Sequence, residues 1–289
     1  MWSYVDSSWP LIGTFGSAVM YKPGKVLKCG GTAQPGSDEN LTAVIDLNDP
    51  SETGGEWLFV DSMEYERRHH NLVLLPTGEI LAVGGERDAD PDPDNEDWVP
   101  VMPAELFDPN DPVPHWEELA PMIGDPRDHH STAVLLASAK VLVCGGDEHP
   151  ESQTTYESAE IFSPPYLFLP GGDDAPRPVI GYAPRVVTYG SDFSVILSSG
   201  SPVGATQIGK VSFVRLGSTT HGFDMDQRYV PLAFQVDPSQ LPAQPSTLIV
   251  QAPADGSYAP PGYYMLFVVS DAGVPSIAKY VRLYEPASI

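Results

Sequence analysis

The chain has 289 residues, with 39 Asp and Glu against 15 Lys and Arg, a net charge of −24 and an isoelectric point near 4.3. A polyanion of this strength repels phosphate backbones, which excludes nucleic-acid binding; such acidity instead confers solubility and affinity for cations. No apolar run approaches the length of about 18 residues that a membrane-spanning helix needs, and 26 Gly, 31 Pro and 42% hydrophobic residues suit a turn-rich all-β protein.

The opening residues, MWSYVDSSWP, carry neither a basic n-region nor an apolar h-region, so no signal peptide is visible in them. The first predicted strand pair is FGSAVMYKPGKVLKCGG, Phe15 to Gly31, followed by a polar loop and the short strand AVIDLNDP. The second is ERRHHNLVLLPTGEILAVGG, Glu66 to Gly85, followed by the acidic run Glu86 to Trp98 and then AELFDPNDP. The third is DPRDHHSTAVLLASAKVLVCGG, Asp125 to Gly146, followed by AEIFSPPY. All three pairs end in a double glycine, and Gly30, Gly84 and Gly145 are 54 and 61 residues apart. Trp57 and Trp116 each precede a methionine, Met63 and Met122, and then an arginine and a histidine pair. A repeat of this length, made of short strands with turn residues between them, predicts propeller blades. The glycine pairs fit the place where neighbouring backbones approach closely at positive φ. Cys29 and Cys144 occupy the same place in different repeats, so they are expected in separate blades, reduced and buried.

The repeat ends in the Pro-, Gly- and Asp-rich stretch Ser163 to Pro184. Beyond it, RVVTYGSDFSVILSSG, IGKVSFVRLGSTTHGFDMDQRYVPLAFQV, TLIVQAP and GYYMLFVVSDAGVPSIAKYVRLYE alternate at sandwich cadence. The expected organisation is three propeller blades forming an incomplete ring over 1–165, a linker over 166–177, and an immunoglobulin-like β-sandwich over 178–289.

Two stretches, RLGSTTHGFDMDQRYVPL (Arg215 to Leu232) and PPGYYMLFVVSDAGVPSIAKYVRL (Pro260 to Leu283), resemble the C-terminal domain of the galactose oxidase and glyoxal oxidase family. The three upstream repeats resemble that family's last three kelch blades. The resemblance implies a copper ion held by two histidines and two tyrosines, one tyrosine being cross-linked to a cysteine as a radical store. His221 matches the histidine of the THxxxxDQR hairpin, and His130 matches the histidine of an Arg-x-Tyr-His-Ser run. His129 stands where that run has its axial tyrosine. No part of the chain matches the cross-linked pair, so the resemblance implies a truncated or degenerate relative that is not an oxidase by itself. If it is active, the expected reaction is copper-dependent oxidation of an alcohol or aldehyde. A non-catalytic carbohydrate- or protein-binding module, and the C-terminal segment of an active copper radical oxidase, are the other readings. Family members place such a protein outside the cell or in the periplasm.

His129, His130 and His221 together make a donor set known for zinc or copper. The other reading is that His70 and His130 are repeat-position histidines capping a blade turn. Asp226, Gln227 and Arg228 read as a turn that shapes the hairpin. The acidic run Glu86 to Trp98 reads as a solvated loop or a calcium site, and Trp98 as a packing residue or a sugar platform. Three blades leave an apolar face open, which predicts either further blades upstream or self-association.

Overall fold

A computed structural model describes residues 14–34, 37–49, 55–88, 98–147, 155–240 and 246–284. The described residues form strands and three short 3-10 turns, with no α-helix. The first repeat builds an antiparallel sheet from Ser17–Lys22, Lys25–Cys29, Thr42–Asp46 and Leu58–Phe59. The second builds one from Asn71–Leu74, Ile80–Val83, Pro103–Phe107 and Trp116–Pro121. The third builds one from Ser131–Leu135, Val141–Gly145 and Ala159–Phe162. The first strands of the three sheets lie side by side as inner strands. Ser17 Oγ donates to the His70 carbonyl, and Asn71 Nδ2 donates to Ser131 Oγ at 2.9 Å, so each inner strand is tied to the next at its first residue.

The double glycines do the same from the second strand, at the same end of the ladder. Gly31 N–H donates to the Arg67 carbonyl at 2.9 Å and Gly85 N–H to the Arg127 carbonyl at 2.7 Å, each bond passing from one sheet to the next. A Cβ on Gly30 would lie 2.3 Å from Arg67 O, and one on Gly84 2.2 Å from Arg127 O. With φ of 64° and 70°, these two positions exclude a side chain both by crowding and by backbone conformation. Each arginine then turns its side chain back into its own sheet. Arg67 Nη1 donates to Gly84 O at 2.9 Å, and Arg127 Nη1 donates to Gly145 O at 2.9 Å. Arg67 is fully buried, as is its partner Glu105 at 2.6 Å, and the second Glu105 oxygen accepts the Glu64 N–H at 2.6 Å. Arg127 finds Ser158 Oγ at 2.7 Å and Glu160 at 3.6 Å. A charge taken out of water needs partners on its donors; Arg67 has them on Nε, Nη1 and Nη2, whereas Arg127 leaves its buried Nε without one.

The third sheet is less covered. Ser131–Leu135 alternates between buried and half-buried residues, whereas Asn71–Leu74 is buried throughout. Among the described residues no sheet packs beyond it. This is why Cys144 is half-buried, contrary to the expectation that both thiols are buried; Cys29 is buried, and both are free. Within the acidic run Glu86 to Trp98, residues 89–97 lie outside the described residues. Trp98 packs under the Arg68 guanidinium, which is itself bonded to Asp38 and Asp88, so its ring is a packing surface.

From Ile180 onward the strands form two sheets face to face. One holds Ile180–Tyr182, Asp192–Leu197, Thr247–Gln251 and Phe234–Val236; the other holds Val186–Thr188, Lys279–Tyr284, Gly262–Ser270, Ile208–Arg215 and Tyr229–Leu232. Asp192–Leu197 alternates strictly between exposed and buried residues, the period-two signature of a half-buried strand. Gly262–Ser270 is instead buried on both faces from Tyr264 onward. Tyr264, Leu266 and Val268 join the sandwich core, while Met265 and Phe267 join Leu72, Leu74 and Ile80 in a cluster that bridges to the blades. Polar contacts close this junction. Ser212 Oγ donates to Pro76 O at 2.9 Å, Ala278 N–H to Ala137 O at 2.8 Å, and Arg177 Nη2 to Ser138 O at 2.8 Å.

Two contrasts test this account by urea unfolding. Gly84→Ala should lose about 2 to 4 kcal/mol, combining left-handed strain with a backbone clash; Gly145→Ala, whose Cβ would meet nothing closer than 3.6 Å, should lose only the strain part. Glu105→Leu should cost about 3 to 5 kcal/mol by stranding a buried arginine. Lys25→Ala, which removes an exposed ion pair with Asp46, should cost less than about 1 kcal/mol. Equal losses within either contrast would contradict the buried contacts described.

Candidate metal centre

The two histidine pairs look alike in sequence, but the backbone treats them differently. In the second sheet Asn71 pairs with Val83, and Arg68 bridges Glu86. In the third, Ser131 pairs with Gly145, and Asp147 N–H donates to His129 O at 2.9 Å. The two hairpins share one register, with Leu74 opposite Ile80 and Leu135 opposite Val141, but the third repeat has one more residue between its histidine pair and that turn. The left-handed positions are therefore His69, at φ 56°, and His130, at φ 58°. His70, second in its pair like His130, is buried with Nε2 3.3 Å from Cys29 Sγ. Burial, then the neighbouring charges of Arg67 and His69, push its pKa down to about 3, while burial pushes the Cys29 thiol up. That pair is neutral and structural. His69, not His70, is therefore the counterpart of His130, and the reading of His70 and His130 as equivalent turn caps does not hold.

Among the described residues five non-glycine residues have positive φ, and four of them, Phe15, His69, His130 and His221, line one pocket of about 280 Å³. Sparsely populated backbone conformations persist where the surrounding structure holds them, and they cluster at functional sites. His129 lines the same pocket, and no described tyrosine does. The structure thus brings together the three histidines singled out from sequence, and adds His69. The rings form a row: His69 to His129 at 4.7 Å, His129 to His130 at 3.6 Å, and His130 to His221 at 5.7 Å between centroids. Exposure grows along it, from 17% for the His69 side chain through 32% for His129 to 48% for His130.

Two carboxylates anchor the row. Asp147 meets His129 Nδ1 with Oδ1 and His130 Nδ1 with Oδ2, each at 3.1 Å, and Glu86 Oε1 meets His69 Nδ1 at 2.8 Å. Since an ionised carboxylate only accepts, the proton sits on Nδ1 and the lone pair on Nε2. Burial and the adjacent rings of His69 and His130 hold His129 below the ordinary imidazole range. Partial burial opposes ionisation of Asp147, but its bonds and charge contacts with His130 and His129 outweigh it and keep the carboxyl low. His129 is thus biased towards the neutral form that coordinates metals. Sequence reasoning missed His69, Glu86 and Asp147. The signal for the carboxylates is present, since an acidic residue follows the double glycine in the second and third repeats.

His221 arrives on the hairpin Thr219–Thr220 and Phe223–Asp224, with Nδ1 2.8 Å from Thr220 Oγ1. Asp224, not Asp226, shapes the hairpin: its Oδ1 accepts N–H bonds from Ser218, Asp226 and Gln227. Gln227 is an anchor rather than a turn residue. Its Nε2 donates to Leu72 O at 2.7 Å and its Oε1 accepts from Leu74 N–H at 2.9 Å, so a side-chain amide bonds the inner strand of the second sheet as another strand would.

Comparisons with known proteins agree with this architecture. Residues 177–283 match the family model described as galactose oxidase-like, early set domain. The chain is 31% identical over 275 residues to a galactose oxidase of Gibberella zeae, covering 93% of this chain and 38% of the relative. It is 35% identical over 231 residues to the aldehyde oxidase GLOX of Vitis pseudoreticulata, covering 78% of this chain and 42% of the relative. A fungal alcohol oxidase solved in complex with copper superposes with a TM-score of 0.77 at 29% identity, over 94% of this chain and 54% of that one. The chain therefore spans about half or less of the length of these relatives.

Gln227→Ala should leave the Leu72 carbonyl and Leu74 N–H unpaired and cost about 1 to 3 kcal/mol. Hydrogen exchange should locate the loss: the Leu74 amide should open faster while the sandwich core stays protected. An unchanged Leu74 rate would show that the amide does not hold the hairpin.

Proposed function

We propose that this chain, homologous to galactose oxidase and the GLOX aldehyde oxidases and carrying a galactose oxidase-like early set domain over 177–283, keeps a transition-metal pocket in imidazole form and is not by itself an alcohol or aldehyde oxidase. The observation that carries this reading is the row of His129, His130 and His221 in one pocket that no described tyrosine lines. The donor set fits the metal of the copper-bound relative: neutral imidazoles suit copper and zinc alike, and the buried His69 Nε2 lacks a hydrogen-bond partner. His130 and His221 would hold the ion, with His129 as third ligand.

Copper bound there would supply Lewis acidity and one-electron cycling. The residues of this chain would position it: Asp147 orients two rings through Nδ1, and Gln227 fixes the hairpin that brings the third. What the described residues lining the pocket do not supply is a one-electron store. A phenolate can donate charge to copper and take up a hydroxyl proton, whereas His129 offers a neutral nitrogen that binds a metal but does not readily lose an electron. Cys29, bonded to His70 deep in the first sheet, is not part of the pocket. The substrate class, if upstream blades complete the site in a longer polypeptide, is that of the relatives: small alcohols or aldehydes.

The 289-residue chain loaded with copper should release no peroxide on galactose or glyoxal. It should bind zinc or copper, and His221→Ala should bind at least about tenfold more weakly. A substrate-dependent peroxide signal would overturn the first half of this reading, and equal affinities in the titration would overturn the second.

A further inference from the structure

The inner strand Ser17–Lys22 reaches two different pockets. Ser17 lines the histidine pocket, and Lys22, roughly 17 Å further along the strand, lines a second pocket of about 340 Å³. There the first two sheets meet the sandwich: Asn110 enters from the second sheet, and Lys210, Tyr229, Pro231 and Phe234 from the sandwich strands. Lys22 Nζ donates to Asn110 Oδ1 at 2.5 Å, and Lys210 Nζ to the Thr77 carbonyl at 2.8 Å. Both acceptors are neutral, so each ammonium keeps two donors and its whole charge. Among the described residues neither lysine forms an ion pair, in a chain whose acids outnumber its bases 39 to 15. Glu79, which feels the charge of Lys210, accepts instead from Thr77 Oγ1, and Asp108 Oδ1 accepts from the Asn110 backbone N–H and Nδ2, each at 2.8 Å. Tyr229 adds a further donor. Its ring packs on the turn at Gly78, where a Cβ would stand 3.1 Å from it. Burial, then Asp108, push the phenol up to about 12, and among the described residues its hydroxyl makes no hydrogen bond. Pro231, exposed, and Phe234, half-buried, give the pocket an apolar wall.

We infer that this pocket binds a small organic acid, with its carboxylate among the Lys22 and Lys210 ammonium groups and the Tyr229 hydroxyl, and its apolar body against Pro231 and Phe234. The site is independent of the metal reading, since the two pockets share no lining residue. A cleft of this volume with an apolar wall and a few convergent polar groups has the make-up of a small-molecule site. Ties between the sheets and the sandwich would need only one donor from each lysine, and they would not require either ammonium to stand unpaired among so many carboxylates. The net charge of −24 repels an anion at long range, but at physiological salt that field is screened beyond about 8 Å, and ammonium groups in contact act inside that distance. A dianion such as phosphate would meet more repulsion from Glu79 and Asp108 and would leave the apolar wall bare. The ligand class is therefore a monocarboxylate.

The test is calorimetric titration of the full chain with benzoate, benzyl alcohol and inorganic phosphate. Benzoate should bind, and the other two should bind at least about tenfold more weakly, because a charge-assisted hydrogen bond contributes about a factor of ten or more. Lys22→Met and Lys210→Met, which keep the stem and remove the charge, should each weaken benzoate about tenfold. Lys279→Met, exposed and outside the pocket, should match wild type. If a lysine variant fails to fold, Tyr229→Phe, which keeps the ring and removes the hydroxyl, should weaken benzoate about threefold or more. A wild type that does not bind benzoate would overturn the site, as would wild-type affinity in either lysine variant or in Tyr229→Phe. Benzyl alcohol or phosphate binding as tightly as benzoate would overturn the ligand class.

Discussion

The carbonyl oxygens of Arg67 and Arg127 are the points at which one sheet is fastened to the next. Each accepts an N–H from the second glycine of the preceding sheet, and each lies where a Cβ on the first glycine would have to be. The position is stable only because the same arginine sends its guanidinium inward to the glycine carbonyl of its own sheet, where a buried or half-buried glutamate balances it. The Arg and Gly-Gly motifs, more than fifteen residues apart in the second and third repeats, are two halves of one contact. Burying a guanidinium is costly, and the arrangement works because nearly every donor meets an acceptor within 3.2 Å at Arg67.

That fastening also creates the pocket. Wherever the arginine carbonyl turns towards the preceding sheet, the chain must reverse before entering the inner strand, and the histidines at this reversal take left-handed conformations. Two reversals from neighbouring sheets and a hairpin from the sandwich then face one another across a space of about 280 Å³. The acids that follow the double glycines, Glu86 and Asp147, lie directly across the ladder and meet the rings. Scaffold and site therefore share residues. A substitution at the double glycine would be felt in the pocket through the carboxylate one residue away.

Within the fold, the histidines divide by dielectric environment. His70 and Cys29, sealed in the first and second sheets, are kept neutral by burial and serve packing. His129 and His130, partly open and bonded to an ionised carboxylate, retain a nitrogen available to a ligand. The same residue type, repeated in tandem, performs two jobs because one ring points into a core and its neighbour into a cavity.

The three repeats, their double glycines and the sandwich alternation of Asp192–Leu197 were legible in the sequence, because spacing and period are local properties that survive without knowledge of partners. The gathering of His129, His130 and His221 came from motif resemblance, since no local rule brings residue 221 to residue 130. Which histidines are equivalent was countable, since the third repeat has one more residue between its pair and the double glycine, which makes His69 the counterpart of His130. Tertiary structure alone decided that histidines from two sheets and a hairpin would line one pocket. It alone decided, too, that Gln227 would hydrogen-bond a strand more than 150 residues away, and that Cys144 would be left half-buried. Both depend on which surfaces meet, and burial is a property of the assembled neighbours, not of the chain read in order.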